Sequence, residues 1–369
     1  MAIARVRSQK GRARRTTGLP FAAPLQRRAF MAKISNGRDI VVVAASLGGL
    51  QVLKKIVGVL PADLPASVFI VMHVGTWPSQ LPHLLASDSR LPVVHASDGE
   101  AIEKGTIYVA PPDRHMLLRD DTVVLSTGPK ENFARPAADP LFRSAAVNYG
   151  ARAIGVVLTG KLDDGAAGLK AIHACGGFTI VQDPSTCAAP DMPDAALKAV
   201  PPDVVAPIDD IGPAIVRALT DRTPRRIDMD ESERAALELK IAATGYSSPA
   251  EMERIGHRTS LTCPECGGVI WRIGEGYPLR YRCHTGHAFS AMSLESRQRS
   301  GAEDALWSAV RRLEEELLLV RDRLSLAEAT HSDDAEALRD EIAPLEAAVE
   351  AVRRLALESA KSTRSQKVG

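Results

Sequence analysis

The sequence predicts an α/β fold: a doubly wound, mainly parallel sheet with a small antiparallel meander, followed by a small zinc-ribbon-like domain and an α-helical hairpin. Three observations predict it. Between residues 40 and 220, short runs of β-branched residues alternate with amphipathic stretches. The runs are apolar throughout, as strands covered on both faces must be. Three of the five cysteines crowd between Cys263 and Cys283. Beyond residue 300, apolar residues recur at alternating spacings of four and three, the seam of paired helices.

The bulk properties exclude little. At 369 residues the chain has room for about two domains. A hydrophobic content of 45% and a formal net charge of +1 predict no partner by charge alone. No apolar run approaches the roughly 20 residues that span a bilayer, so membrane insertion is not predicted. No secretory signal core stands near the start. The clustered cysteines suit metal ligands better than a disulfide framework, so a reducing cytoplasm is the expected location. The first 33 residues hold nine Lys or Arg and no Asp or Glu. Together with residues up to 38 they read as a basic disordered tail, or as an overextended start ahead of Met31. Aromatic residues are not interleaved with these charges, so specific nucleic-acid binding is not expected of them.

Taken in order, residues 40–44, 68–74, 153–158, 178–181 and 204–206 read as buried strands, and 50–59, 140–149, 165–175 and 211–219 as helices. Between them, "GTIYVAPPDRHMLLRDDTVVLS" reads as three short strands joined by Pro-Pro-Asp and Asp-Asp turns, a meander beside the main sheet. The domain thus runs over 39–222 and is expected to stand alone as a 34–222 fragment. A polar helical linker fills 223–256, the cysteine-rich domain 257–292, the helical hairpin 293–360 and a tail 361–369. In the hairpin, Leu306, Val310, Leu313, Leu317, Val320, Leu324 and Ala327 form one seam. Leu338, Ile342, Leu345, Val349 and Val352 form the other, with a helix start at Asp333 and Glu336 and a kink at Pro344. The seams pack on each other, on a second copy as a homodimer, or on a signalling partner.

The stretch "VVVAASLGGLQVL" places Ser46 where a buried strand gives way to two glycines and a helix. In open α/β folds, reacting groups gather at this carboxyl edge. The amide of Leu47, at a helix N-terminus, suits developing negative charge. Capping the helix is the plainer role for this serine. A dinucleotide site fits worse, since the first glycine of GxGxxG is missing. A nucleophilic serine needs a base. His73 ends the strand "VFIVMHVG" at the same edge, whereas His95, His115 and His173 lie on other runs and His83 within a helix, without a comparable edge position. A third strand, in "GVVLTGKLDDGAAGL", leads to Asp163 and Asp164, which could cap a helix or orient an imidazole.

"AASLGG", "VMHVG", "DGEAIEKGTIYVAPPDRHM", "RPAADPLFRSAAVNYG", "LTGKLDDGAAGL" and "IVQDPSTCAAPDMPDAAL" follow one another as in the catalytic domain of the bacterial chemotaxis receptor methylesterases, the CheB family. The resemblance covers residues 39 to 220, about half the chain. It implies protein-glutamate methylesterase activity, with glutamine deamidation, on the cytoplasmic domain of methylated chemoreceptors or a related signalling protein. It implies Ser46 as nucleophile, His73 as base and Asp164 as the orienting carboxylate, with no cofactor for catalysis. Leu47 and Lys161 are the candidate oxyanion and substrate-binding residues. The sequence departs from the family at Ala44 and Leu47, where a glycine and a threonine are usual. It departs again at Lys161 and Leu162, where a methionine-glycine pair is usual, and at Asp191, which replaces the glycine of Gly-Met-Pro. The lysine changes charge beside the scissile group. Fewer than forty residues precede the first strand, too few for the family's receiver domain.

"LTCPECGGVI" and "YRCHTGHAF" supply Cys263, Cys266, Cys283 and His287 as ligands of one structural zinc, with His284 the substitute for His287. A small domain of this kind has too little core to fold securely without its metal. Rival readings are an inactive scaffold of the same fold, an esterase for a non-receptor ester, and a zinc-ribbon nucleic-acid protein.

Overall fold

The computed structural model describes residues 37–73, 78–221, 223 and 225–365, the last five by backbone alone. The basic tail ahead of residue 37, the start at Met31 and the residues after 365 lie outside the described residues. From Gly37 onward the chain is one compact unit.

The strands β1 (Ile40–Ala45), β2 (Ser67–Met72), β3 (Val93–His95), β4 (Ile107–Val109), β7 (Ala153–Val157), β8 (Phe178–Gln182) and β9 (Val204–Ala206) form a seven-stranded sheet in the order β3-β4-β2-β1-β7-β8-β9. Every neighbouring pair is parallel. Successive side chains of a strand point to opposite faces, and β1 shows why its run is apolar throughout. Ile40, Val42 and Ala44 enter the core cluster under α3 (Ala138–Tyr149), α4 (Ala166–Ala174) and α5 (Asp191–Ala199). Val41, Val43 and Ala45 enter the opposite cluster under α1 (Gly49–Val59), α2 (Leu81–Ala86) and α6 (Ile208–Thr220).

The predicted three-stranded meander is not formed. Its first strand is β4, "IYV", buried at all three positions, and it pairs in parallel with β2 and β3 inside the main sheet. Of its three strands, only β5 (His115–Arg119) and β6 (Thr122–Ser126) pair antiparallel with each other. A strand without a polar face cannot sit in a small exposed meander. The second main strand ends at Met72, before residue 74.

The predicted linker is helical as expected, but it is packed against the first domain. It folds into α7 (Met229–Thr244) and α8 (Pro249–Ile255), the latter opened by a capping box between Ser248 and Glu251. Ala235 of α7 joins the core cluster beneath α3, and Glu238 is 1% exposed. An antiparallel sheet follows, β10 (Gly256–Thr262), β11 (Val269–Ile273), β12 (Arg280–Cys283) and β13 (Ala288–Ser290), in sequential order. Then come α9 (Ala291–Ala329) and α10 (Ala335–Ser365). The sequence seams face each other, with Val320, Ala327 and Leu338 buried together. Arg321 pairs with Glu346 and Arg339 with Glu328 across the helices, which makes the pair antiparallel. The second helix starts at Ala335, two residues past Asp333, and is continuous through Pro344.

A buried ion cluster joins the cysteine-rich sheet to the first domain. Glu131 accepts hydrogen bonds from Arg143 and Arg282, and Glu238 from Arg280 and Arg282. Arg143, Arg282, Glu131 and Glu238 are each at most 1% exposed. Phe133 packs on Phe289, ring centroids 4.8 Å apart. The boundary expected at 222 therefore does not separate independently packed bodies.

Candidate active site

The sheet order reverses at β1: the chain leaves β1 toward β2 on one side and later returns as β7 on the other. Groups at the carboxyl ends of these three strands converge at a topological switch point. Ser46 follows β1, His73 follows β2, and Asp164 lies in the loop from β7 to α4. His73 Nδ1 stands 3.2 Å from Ser46 Oγ, and His73 Nε2 stands 2.8 Å from Asp164 Oδ2. An imidazole that donates Nε2–H to a carboxylate leaves Nδ1 as the acceptor for the serine hydroxyl.

The backbone around Ser46 is closely braced. Its amide donates to the Thr159 carbonyl, and Thr159 Oγ1 donates to the Leu47 carbonyl at 3.0 Å. Gly48 has φ +79, and a Cβ there would lie 2.5 Å from the Ala188 Cβ, so only glycine fits this turn. Gly160 is constrained from the other side: a Cβ would meet Met192 Sδ at 2.0 Å and Ser46 Cβ at 2.8 Å. Leu47 is 53% exposed at the amino end of α1, and Lys161 is exposed beside Gly160. Leu162 holds φ +62, a left-handed conformation that costs a non-glycine residue energy. The usual glycine at that position would be free of this strain. Ser46, Leu47, Gly48, Leu50, Gln51, Met72 and His73 line an open cleft of about 340 Å³.

His95 corrects the expectation that other histidines avoid this edge. It ends β3 at the carboxyl edge, but β3 is three strands from β1, and its ring contacts the carbonyls of Ser79 and Val109. His115 is buried and bonded to the Pro129 carbonyl.

Asp164, 2% exposed, is the most heavily bonded group of the site. Besides His73 it accepts the amides of Ala138 (2.6 Å) and Asp139 (3.2 Å), at the amino end of α3, and Asn132 Nδ2 (3.3 Å). Burial alone would raise its pKa, but the His73 hydrogen bond and charge and these amides hold it below the ordinary carboxylate range. Burial pulls the His73 imidazole down, and the Asp164 hydrogen bond and charge more than offset it, leaving it raised. Asp139 answers differently: burial and the neighbouring Asp164 push it up to about 7. It accepts the amides of Gly165 and Gly168. Burial likewise raises Asp163 to about 6, against a hydrogen bond from Ser290.

Sequence reasoning missed Asn132, Asp139, Thr159, Ser290 and Ser293. Asp139 lies within the quoted "RPAADPLF" motif, and Ser290 directly precedes the long helical pattern as a cap would. Asn132 carried no signal of its own.

In the second half, Cys263, Cys266, Cys283 and His287 bring their donor atoms within 4.8 Å of one another. His287, not His284, completes the group. Cys266 Sγ is 3.8 Å from Cys283 Sγ, and Cys283 Sγ is 3.5 Å from His287 Nδ1. A tetrahedral ion bound by thiolates at about 2.3 Å has ligand–ligand edges of about 3.8 Å, so these donors suit a metal ion.

Residues 41–215 match the family model described as CheB methylesterase. A protein of Methanosarcina mazei named protein-glutamate methylesterase/protein-glutamine glutaminase 2 is 40% identical over 189 residues, which are 49% of this chain and 52% of that protein. One of the same name in Anaeromyxobacter dehalogenans is 40% identical over 183 residues, 49% of this chain and 53% of that one. The chain thus spans about half the length of these relatives. A shorter relative in Leptospira interrogans is 36% identical over 181 residues, 48% of this chain and 94% of its own length. The crystal structure of the Thermotoga maritima CheB methylesterase catalytic domain aligns at 32% identity and a TM-score of 0.47, over 49% of this chain and 98% of that one.

Proposed function

The chain belongs to the CheB methylesterase family, and from that premise we propose that it is a protein-glutamate methylesterase working through Ser46, His73 and Asp164. Its substrates are glutamyl methyl esters, and the corresponding glutamines, on a chemoreceptor cytoplasmic domain or a related signalling protein. The hydrogen-bonded line from Ser46 Oγ through the imidazole to Asp164 carries the reading.

In this mechanism His73 Nδ1 takes the Ser46 hydroxyl proton as Oγ attacks the ester carbonyl. Asp164 keeps Nε2–H in place and stabilises the imidazolium that forms. The Leu47 amide, at the amino end of α1, meets the developing oxyanion. Collapse breaks the ester C–O bond, and the His73 proton leaves with methanol. Water then gives a proton to His73 and attacks the glutamyl-Ser46 ester; collapse breaks the C–Oγ bond, His73 returns the proton to Ser46 Oγ, and the glutamate leaves. With a glutamine substrate the same steps release ammonia. Lys161, exposed beside Gly160, is the candidate substrate-binding residue.

Cys263, Cys266, Cys283 and His287 are assigned one zinc ion. With four protein donors, such an ion cross-links β10, β12 and the loops around them and holds no water for catalysis. The reaction is assigned to a soluble cytoplasmic enzyme. The apolar seams of α9 and α10 face each other within the chain, and Leu318, Leu319 and Leu326, exposed on α9 outside its seam, are the surface assigned to a second copy or signalling partner.

Methanol release from a methylated receptor fragment tests the reading. Wild type should release it and Ser46→Ala should not; equal release by both would refute the assignment.

A further inference from the structure

The cysteine-rich sheet and the start of α9 reach the reaction centre through one side chain. Asn132 donates Nδ2–H to Asp164 Oδ1 at 3.3 Å and lies 3.5 Å from Asp139 Oδ2. Its Oδ1 accepts from the Ser290 amide at 2.8 Å and from the Ser293 hydroxyl at 3.0 Å. Its own backbone amide donates to the Ala288 carbonyl at 2.8 Å. Ser290 caps α9, and its hydroxyl donates to Asp163 Oδ1 at 2.6 Å. Residues 288–293 therefore grip both neighbours of the site: Asn132 on one side and the residue before Asp164 on the other.

We propose that Asn132 is a positioning residue for Asp164 and His73, and that Ser290 and Ser293 set the orientation of its amide. An asparagine amide has a donor end and an acceptor end of nearly equal shape, so its partners decide which way it points. Facing two aspartates, it must present N–H. Rotated by half a turn, it would set its carbonyl against the Asp164 and Asp139 carboxylates and its N–H against the Ser290 amide. The Ser290 backbone amide, which can only donate, opposes that orientation, and the Ser293 hydroxyl adds a second hydrogen bond to the oxygen it fixes. Without them the Asn132 amide is anchored only by its long contacts to the Asp164 and Asp139 carboxylates, at 3.3 and 3.5 Å, so it is held less firmly and supports Asp164 less well. Asn132 is also held from behind, since Glu131 belongs to the ion cluster with Arg282 of β12. Asn132 sits at φ +50, a conformation asparagine tolerates better than most residues. The module after residue 256 is thus part of the reaction centre rather than an appendage. The inference rests on the Ser46–His73–Asp164 reading and deepens it.

The test uses the full chain, with p-nitrophenyl acetate as a small neutral ester and the downfield imidazole N–H resonance of His73 as a second readout. The resonance is assigned by its loss in His73→Gln. Asn132→Ala and Ser293→Ala should lower kcat at least about tenfold, the scale of a modest misplacement of a catalytic group. KM should change less than about twofold, because none of these side chains lines the cleft. Ser293→Thr, which keeps the hydroxyl, should restore kcat, and the His73 resonance should move in Asn132→Ala and Ser293→Ala alone. Folded Asn132→Ala and Ser293→Ala proteins with wild-type kcat and an unmoved resonance would overturn the proposal. If ester turnover does not depend on Ser46, the functional reading fails, and the resonance by itself decides whether Asn132 positions the pair.

Discussion

Replacing Glu238 by glutamine should destabilise the full chain by roughly 3–5 kcal/mol, the cost of breaking a buried ion pair from one side. The magnitude follows from the surroundings. Glu238 is 1% exposed, accepts both terminal nitrogens of Arg280 and Nη2 of Arg282 at 3.0 Å, and lies 3.9 Å from Arg143 Nη1. In the wild type three guanidinium groups face two carboxylates, Glu131 and Glu238. After the substitution they face one, at nearly unchanged volume, so charge rather than a cavity dominates the loss. Against a typical stability of about 5–15 kcal/mol, about a fifth or more would disappear. Glu233→Gln on the same helix is the control. Its ion pair with Arg254 is 66% and 62% exposed, and such pairs contribute at most about 1 kcal/mol. Urea denaturation followed by circular dichroism and tryptophan fluorescence measures both, since Trp271 is buried in the cysteine-rich sheet. The pH dependence supplies a second check. The arginines overcome burial and hold Glu131 at about 2 against an ordinary 4.5, and Glu238 is lowered in the same way. Depressed carboxylates stabilise the fold above pH 4.5, and that contribution is lost as pH falls through about 2. The Glu238→Gln deficit should therefore be full above pH 5 and shrink on acidification. A deficit within about 0.5 kcal/mol, as for an ordinary surface substitution, would refute the argument. It would also return residues 223–256 to the status of a linker.

The acid limb of kcat/KM should lie above the ordinary histidine value of 6.5, because His73 must be neutral to accept the serine proton and its pKa is raised. The sign is opposite for stability: the raised His73 stabilises the fold fully below pH 6.5 and loses that contribution as pH rises through the folded pKa. A limb below 6.5, or one unmoved by Asp164→Asn, would count against the pair. Gly160→Ala should cut esterase turnover by at least about tenfold, since its Cβ would press on Met192 Sδ at 2.0 Å and Ser46 Cβ at 2.8 Å. Steady-state kinetics on a folded variant checks this, and unchanged turnover would show the loop can move aside. Metal analysis should find about one zinc per chain, the stoichiometry of a single four-ligand site. Cys263→Ser should lose that zinc and the circular dichroism of the sheet it holds; a folded, zinc-free variant would refute the structural role.

Period and spacing made much of this molecule legible from its residues alone. Runs such as "IVVVAA" are apolar at every position because both faces of β1 are covered, and local composition records that directly. The ends of β1 and β2 carry Ser46 and His73, the loop after β7 carries Asp164, and the cysteine spacing marks the metal group, since short motifs need only their own neighbours. The seams of α9 and α10 were equally plain in the spacing of leucines and valines. The 34–222 fragment is expected to keep basal esterase chemistry, but it lacks the Ser290 and Ser293 partners of Asn132, so on the proposal above its turnover should fall below that of the full chain. The ion cluster was also invisible: Glu131, Arg143, Glu238, Arg280 and Arg282 are scattered over about 150 residues, and in sequence each reads as solvated surface. Likewise nothing local distinguishes β4 in the main sheet from a strand of a meander, or a His95 three strands away from a His73 beside Ser46. Short-range pattern determines which residues form strands, helices and ligand pairs. Only the assembled chain decides which charges are taken out of water together and which amide faces a carboxylate, because those energies belong to contacts between distant segments.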